Sequence, residues 1–190
     1  MQYIGRWDCG ERDISVKDKK RILLFTGEGK GKTTAALGMA LRASGHGMKT
    51  LVIQFVKSDP TTGEVAGCRQ LPGCEIMQTG KGFVPERADP AFHEHRRAAY
   101  EGLCLAEGAL SSGKYDLIIL DEICTALGKG LLDEGQVIEA VRKGASGVCI
   151  VMTGRNATAG LVSIADTVTD MRMVKHGFQE GWEGQEGVEY

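Results

Sequence analysis

The stretch that most constrains this chain is residues 25–34, which read F-T-G-E-G-K-G-K-T-T directly after the apolar residues R-I-L-L. A short continuous apolar run is typical of a strand buried on both faces, and the T-T-A-A-L-G-M-A-L-R-A that follows favours a helix. A glycine-rich turn between a strand and a helix presents backbone N–H groups that bind phosphate oxygens. The stretch therefore predicts a phosphate-binding loop.

The spacing of the glycines decides between two kinds of phosphate-binding loop. Gly27, Gly29 and Gly31 are two residues apart, which does not fit the dinucleotide pattern G-x-G-x-x-G. The acidic residue expected about 20 residues later is also missing, because that neighbourhood reads L-V-I-Q-F. The nucleoside-triphosphate pattern G-x-x-x-x-G-K-[ST] fits better, although Thr26 stands where its first glycine is expected.

Within that pattern the residue types have separate tasks. Lys32 is expected to reach the phosphates, and the hydroxyl of Thr33 is expected to bind Mg²⁺. The predicted nucleotide-binding residues are Gly27, Glu28, Gly29, Lys30, Gly31, Lys32, Thr33 and Thr34.

The rest of the chain alternates apolar runs with amphipathic segments, which is typical of strands joined by helical crossovers. Strands are predicted within 49–57, 74–79, 115–122, 147–154 and 167–174, and helices within 90–112, 133–143 and 161–166. This alternation predicts a three-layer α/β phosphate-loop fold of the RecA-like type, with a mostly parallel central sheet. Residues 1–20 are polar and without periodicity, which predicts a tail or lid, and 21–190 are predicted to form a single domain.

Composition argues against several classes of partner. The net charge of −2 offers no general basic surface for nucleic acid. No apolar run approaches the ~18 residues of a membrane span, and the N-terminus lacks a secretory signal. The six cysteines contain no C-x-x-C pair, so a metal site made of cysteines is not favoured. These features predict a reduced cytoplasmic protein with no nucleic-acid or membrane partner.

Polar residues at the ends of the predicted strands are candidates for chemistry. Asp121 and Glu122 close the run Y-D-L-I-I-L, where the carboxyl end of a parallel strand faces the ligand crevice. We expect the pair to hold the metal, and the sequence leaves open which of the two contacts it. Arg155 follows another buried run and is either a surface arginine or a group that offsets charge on a leaving phosphate chain. Lys57 is the last residue of another predicted strand, and His176 follows the last one.

Taken together, residues 25–36, V-I-Q-F-V-K, D-L-I-I-L-D-E-I, T-G-R-N-A and the C-terminal V-K-H-G-F-Q-E-G-W-E-G-Q-E-G-V-E-Y resemble the ATP:corrinoid adenosyltransferase family of the phosphate-loop type. The match runs in order from about residue 20 to the C-terminus, and threonine at position 26 is itself a feature of that family.

The resemblance implies a reaction other than phosphoryl transfer. A corrinoid Co(I) attacks the 5′ carbon of ATP and expels the whole triphosphate. Lys32 and Arg155 are then expected to be catalytic by offsetting the charge of the leaving group, with Mg²⁺ held by Thr33, Asp121 and Glu122. The resemblance also implies a homodimer and an electron donor such as a reduced flavoprotein.

One loop departs from the family pattern. The corrinoid-facing loop of the family usually reads G-F-T-W, whereas this chain has Gly82, Phe83, Val84 and Pro85. Phe83 is therefore the predicted corrinoid-binding residue, and the second aromatic position is lost. A phosphate-loop ATPase or nucleotide kinase with another acceptor, and a non-catalytic corrinoid- or nucleotide-binding relative, are the alternative functions.

Overall fold

A six-stranded parallel sheet forms the centre of the protein. The computed structural model describes residues 19–188, so nearly all of the predicted tail over 1–20 lies outside the described residues. The strands are β1 (Arg21–Thr26), β2 (Thr50–Gln54), β3 (Cys74–Gln78), β4 (Leu117–Asp121), β5 (Cys149–Thr153) and β6 (Thr167–Asp170). They lie in the order β3-β2-β4-β5-β1-β6, and each neighbouring pair is parallel.

Helices cover both faces of this sheet. They are α1 (Lys32–Gly45), α2 (Gly63–Gln70), α3 (Phe92–Ser111), α4 (Ile123–Gly128), α5 (Glu134–Arg142) and α6 (Ala159–Ile164), followed by a 3-10 helix (Gly177–Glu180). Alternate strand residues point to opposite faces, as the pleat requires. Ile118 and Leu120 pack in the cluster under α3, α5 and α6, whereas Ile119 packs with Ala36 of α1 and Cys68 of α2. The predicted α/β phosphate-loop fold is confirmed.

The structure differs from the predicted elements in three places. Helix α2 was not predicted because only Val65 and Cys68 are buried in it, which leaves no helical period to detect. Helix α4 has six residues, fewer than periodicity resolves. The last strand ends at Asp170 instead of continuing to residue 174. Among the described residues 19–188 it pairs only with β1, which ends at Thr26, so no strand there remains for it to pair with.

The strand order determines where the polar strand ends lie. Strands β4, β5 and β1 are neighbours, and their carboxyl ends are at the same edge because they are parallel. The residues that follow these three strands are therefore brought together at one edge.

Candidate functional site

The phosphate-binding loop, residues 26–31, joins β1 to α1 and packs against the chain that follows β6. Gly31 has φ 117°, a left-handed conformation that favours glycine. At Gly29 a Cβ would lie 2.6 Å from the carbonyl oxygen of Met171. The Gly29 amide donates to that same oxygen at 2.6 Å. The glycines therefore permit a close approach to residues 170–172, and the Gly29 N–H is directed there rather than towards a ligand.

Lys32, the first residue of α1, folds back over this loop. Its Nζ donates to the carbonyl oxygens of Gly27 and Gly29, each at 2.7 Å. The side chain is buried, and burial lowers the pKa of Lys32 although the nearby Glu122 carboxylate opposes the shift. The loop thus holds a cation at its centre, at the position where the sequence predicts a phosphate contact.

Asp121, the last residue of β4, is the hub of the polar contacts beneath the loop. It is wholly buried, and Oδ1 accepts hydrogen bonds from the hydroxyls of Thr33 at 2.7 Å and Thr153 at 2.8 Å. Oδ2 accepts from Nε2 of Gln54 at 3.0 Å, and Nζ of Lys57 lies 3.8 Å away. Its buried charge is therefore satisfied on both oxygens, as a buried carboxylate requires.

Glu122, the neighbouring acid, has a different environment. Its backbone is left-handed with φ 62°, and its N–H donates to the Thr153 hydroxyl at 2.9 Å. Its carboxylate accepts a hydrogen bond from the Thr125 hydroxyl. Glu122 lines the cavity beside the loop, whereas Asp121 is wholly buried and is not among the residues that line it.

That cavity, called the site cavity below, has a volume of about 700 Å³, which lies within the range of small-molecule sites. The phosphate-binding loop and the first turn of α1 form one wall. The other lining residues are Leu37, Lys57, Gly63, Glu64, Glu122, Arg155, His176, Gly187 and Val188. Lysines and an arginine converge here with a few carboxylates, a composition suited to a polyanion that carries a metal ion.

Comparison with known proteins agrees with this geometry. The model of a family described as ATP:corrinoid adenosyltransferase BtuR/CobO/CobP matches residues 18–190. A corrinoid adenosyltransferase from Pseudomonas aeruginosa is 37% identical, with 95% of this chain and 89% of that protein covered. One from Sinorhizobium is 35% identical (100% and 90% covered), and one from Escherichia coli is 34% identical (94% and 90% covered). This chain belongs to the ATP:corrinoid adenosyltransferase family.

Most of the residues predicted to bind nucleotide or metal meet in this family member. Glu28, Gly29, Lys30, Gly31, Lys32, Thr33 and Thr34 line the site cavity together with Glu122 and Arg155. Nε of Arg155 lies 3.5 Å from a carboxylate oxygen of Glu28, so the two side chains form an exposed ion pair beside the loop. Gly27, near the start of the loop, does not line the site cavity, and a Cβ there would be 2.1 Å from Oδ1 of Asp170.

Phe83 does not join them. Its side chain is 91% exposed, while the next residue, Val84, is buried in the apolar core. Val84 therefore anchors the loop and leaves Phe83 facing outwards, clear of the residues that line the site cavity.

Two residues of the site, Gln54 and Glu64, were not predicted from the sequence. Gln54 is wholly buried and lies opposite both Asp121 and Gln78 in the sheet. Glu64, from the unpredicted α2, accepts a 2.6 Å hydrogen bond from Lys57 and lines the site cavity. Burial favours the neutral form of Glu64, but the hydrogen bonds from Lys57 and Gln54 hold its pKa below the usual value. The sequence signal that marks Gln54 is a single glutamine inside the apolar run T-L-V-I-Q-F-V.

The donor set fits Mg²⁺. The Thr33 hydroxyl and the Glu122 carboxylate supply the hard oxygen ligands that this ion prefers. Over residues 19–188 no group of three His, Cys, Asp or Glu side chains could hold a metal by itself.

In the part of the chain that the structure describes, no helix is both long enough and apolar enough to cross a bilayer.

Proposed function

We propose that this protein transfers the 5′-deoxyadenosyl group of ATP to the Co(I) of a corrinoid and releases inorganic triphosphate. The observation that carries the proposal is the family match over residues 18–190, with a cationic cavity formed at the predicted loop. In this reaction the Co(I) electron pair forms the bond to C5′, and the C5′–O bond breaks with its electrons leaving on the triphosphate. The nucleophile belongs to the substrate, so the protein needs no general base.

The protein's own task is then to hold the triphosphate and to stabilise its growing charge. We assign contact with the triphosphate to the loop and to Lys32, whose ammonium lies at the centre of the loop. Arg155 lines the same cavity and offsets charge as the leaving group departs. Bound Mg²⁺ supplies further charge neutralisation.

The two acids receive different tasks in this proposal. Glu122 faces the site cavity and is assigned as the direct metal ligand together with Thr33. Asp121 is wholly buried and hydrogen-bonded to Thr33, so it acts by holding the threonine hydroxyl in place. The different burial of the two acids supports this division.

The remaining assignments concern partners. Phe83 is proposed to contact the corrinoid, because it is a large aromatic side chain left exposed on an anchored loop. A homodimer, a reduced flavoprotein as electron donor and a cytoplasmic location are proposed from the resemblance. We propose residues 21–190 as one domain.

The test mixes the protein with MgATP, a chemical reductant and cobalamin. The absorbance change of adenosylation is followed and the inorganic product is identified. Adenosylated corrinoid with intact triphosphate is the expected result. Orthophosphate alone, which a phosphate-loop ATPase would release, or binding without turnover, would overturn the proposal.

A variant pair sharpens this test. Lys32→Ala is expected to abolish adenosylation and to leave the circular dichroism spectrum unchanged, because it removes the cation from the loop. Lys129→Ala, which changes an exposed lysine at the end of α4, is the control for loss of one positive charge. Near-normal turnover by Lys32→Ala would show that the loop does not hold the leaving group.

A further inference from the structure

The chain after β6 returns over the site cavity and forms its second wall. Just beyond Asp170, the carbonyl oxygen of Met171 accepts a hydrogen bond from the Gly29 N–H. Near the end of the segment, the carbonyl oxygen of Val188 accepts a 2.6 Å hydrogen bond from Nζ of Lys30. Both contacts are made to the phosphate-binding loop. His176, in the first third of this return segment, lines the site cavity together with Val188.

One hydrogen bond determines which nitrogen of the His176 ring carries the proton. Nδ1 accepts from the backbone N–H of Phe178 at 3.2 Å, so this nitrogen is unprotonated. A neutral imidazole with an acceptor at Nδ1 carries its proton at Nε2 and is a donor there. Within residues 19–188, no protein acceptor receives a hydrogen bond from Nε2 of His176. The ring thus presents an unused donor in the wall of the site cavity.

The segment around His176 holds the ring in place. His176 caps the short 3-10 helix that begins at Gly177. The Trp182 ring packs over Gly177, so closely that a Cβ there would lie 2.9 Å from the ring, and the Trp182 amide donates to the Gly177 carbonyl oxygen at 3.0 Å. The cap and this packing hold the backbone on which His176 sits.

We infer that His176 is a nucleotide-binding residue that donates its Nε2–H to an oxygen of the bound ATP. The inference rests on the proposed function in one respect, namely that the site cavity holds ATP. A neutral donor suits either an anionic oxygen of the triphosphate or a ribose hydroxyl, and the two ligands used in the test distinguish these sources.

Two substitutions separate the functions of the two ring nitrogens. In His176→Asn the amide oxygen takes the place of Nδ1 and keeps the cap on Phe178, but no group reaches the position of Nε2. In His176→Gln the amide nitrogen replaces Nε2, and the cap is lost. Removing a hydrogen bond to a ligand oxygen is expected to raise the Kd about tenfold. We therefore expect about tenfold weaker ATP binding by the Asn variant and a Kd within about threefold of wild type for Gln.

Calorimetric titration with MgATP and with magnesium triphosphate provides the measurement. His46→Asn, which changes an exposed histidine at the end of α1, is the matched control. If His176→Asn raises the Kd for both ligands, the contact is to the triphosphate. If it raises the Kd for ATP alone, the contact is to the nucleoside. Unchanged binding of both ligands, or equal weakening by Asn and Gln, would overturn the inference, because the latter would show that only the cap matters.

A thermal unfolding scan of each variant shows whether it folds. The readout is binding and not turnover, so the two proposals fail separately. If the wild-type protein binds ATP and the His176→Asn substitution weakens that binding, the inference stands even where no adenosylated corrinoid forms. If adenosylation proceeds and His176→Asn binds like wild type, the inference fails while the proposed function stands.

Discussion

The Thr33 hydroxyl donates a 2.7 Å hydrogen bond to Oδ1 of Asp121, and this contact joins the first turn of α1 to the carboxyl end of β4. The two residues are 88 positions apart in the chain. Because Asp121 is wholly buried, its charge depends on such donors, and the threonine in turn is fixed in orientation. The position of Thr33 next to the phosphate-binding loop therefore depends directly on Asp121 at the end of β4.

Replacing Thr33 by valine tests this coupling. Valine has nearly the shape of threonine but no hydroxyl, so the buried carboxylate loses one of its donors. We expect the free energy of unfolding to fall by about 1–3 kcal/mol, the usual result of leaving a buried acceptor short of a partner. We also expect MgATP to bind more weakly. Urea denaturation and calorimetry measure the two effects. Thr33→Ser keeps the hydroxyl and should resemble wild type, and valine and serine variants that behave alike would contradict the coupling.

Arg155 offers a test of leaving-group stabilisation that is separate from folding. Its side chain is 59% exposed and its contact with Glu28 is an exposed ion pair, a kind that contributes little to stability. Arg155→Ala should therefore unfold at nearly the wild-type temperature but lower kcat by about ten- to a hundredfold, with a smaller change in the KM for ATP. Arg97→Ala breaks the comparable exposed pair with Glu101 on α3 and is the control. An equal loss of kcat in both variants would argue against a role for Arg155 in the reaction.

The features that could be predicted from the sequence are those formed by residues close together in the chain. The phosphate-binding loop was predictable because the loop, its lysine and its threonine are contiguous, and buried strands are continuous apolar runs in a parallel sheet. Asp121 and Glu122 were predictable as candidates because they close such a run. Their separate environments were not, since they depend on the left-handed turn at Glu122.

Non-local residues escaped prediction for a physical reason. Gln54 lies beside Asp121 because β2 pairs with β4 in a particular register. The sequence of either strand alone does not determine that pairing. Glu64 belongs to helix α2, in which only Val65 and Cys68 are buried, so its sequence shows no helical period. Phe83 was predicted to bind the corrinoid, and that assignment remains a prediction because no contact in the chain tests it.

Glu64 gives a prediction about pH. Its folded-state pKa lies below the usual value of 4.5 because hydrogen bonds from Lys57 and Gln54 outweigh burial. A carboxyl with a depressed pKa stabilises the fold above its unfolded pKa, and this contribution is lost as pH falls through the folded pKa. Wild type should therefore be more stable than Glu64→Gln at neutral pH, and the difference should shrink as pH falls below 4.5.

Urea denaturation of both proteins at several pH values measures that difference. Glu107→Gln, which breaks the exposed pair with Lys143, controls for removal of a surface carboxylate. A difference between wild type and Glu64→Gln that stays constant down to pH 3 (about one unit and a half below the usual Glu pKa) would show that the ionised form of Glu64 does not stabilise the fold.

Gly80 connects the end of β3 to the loop that carries Phe83, and it offers a test of what that loop does. A Cβ on Gly80 would lie 2.1 Å from the carbonyl carbon of Val56, so Gly80→Ala must displace the backbone. Since this loop contributes no residue to the lining of the site cavity, we expect ATP affinity to change little. Adenosylation should fall at least tenfold through a higher KM for the corrinoid if the loop positions Phe83 against that substrate.

Gly108→Ala is the matched control, because a Cβ at that position on α3 meets nothing within 4 Å and alanine favours the helix. Phe83→Ala should reproduce the corrinoid defect of Gly80→Ala without its loss of stability, since the Phe83 side chain is 91% exposed. Steady-state kinetics with varied cobalamin, together with ATP calorimetry, separates the two substrates. If Gly80→Ala weakens ATP binding as strongly as corrinoid turnover, the displaced backbone at Val56 has disturbed the neighbouring Lys57–Glu64 pair, and the variant gives no support for a contact between Phe83 and the corrinoid.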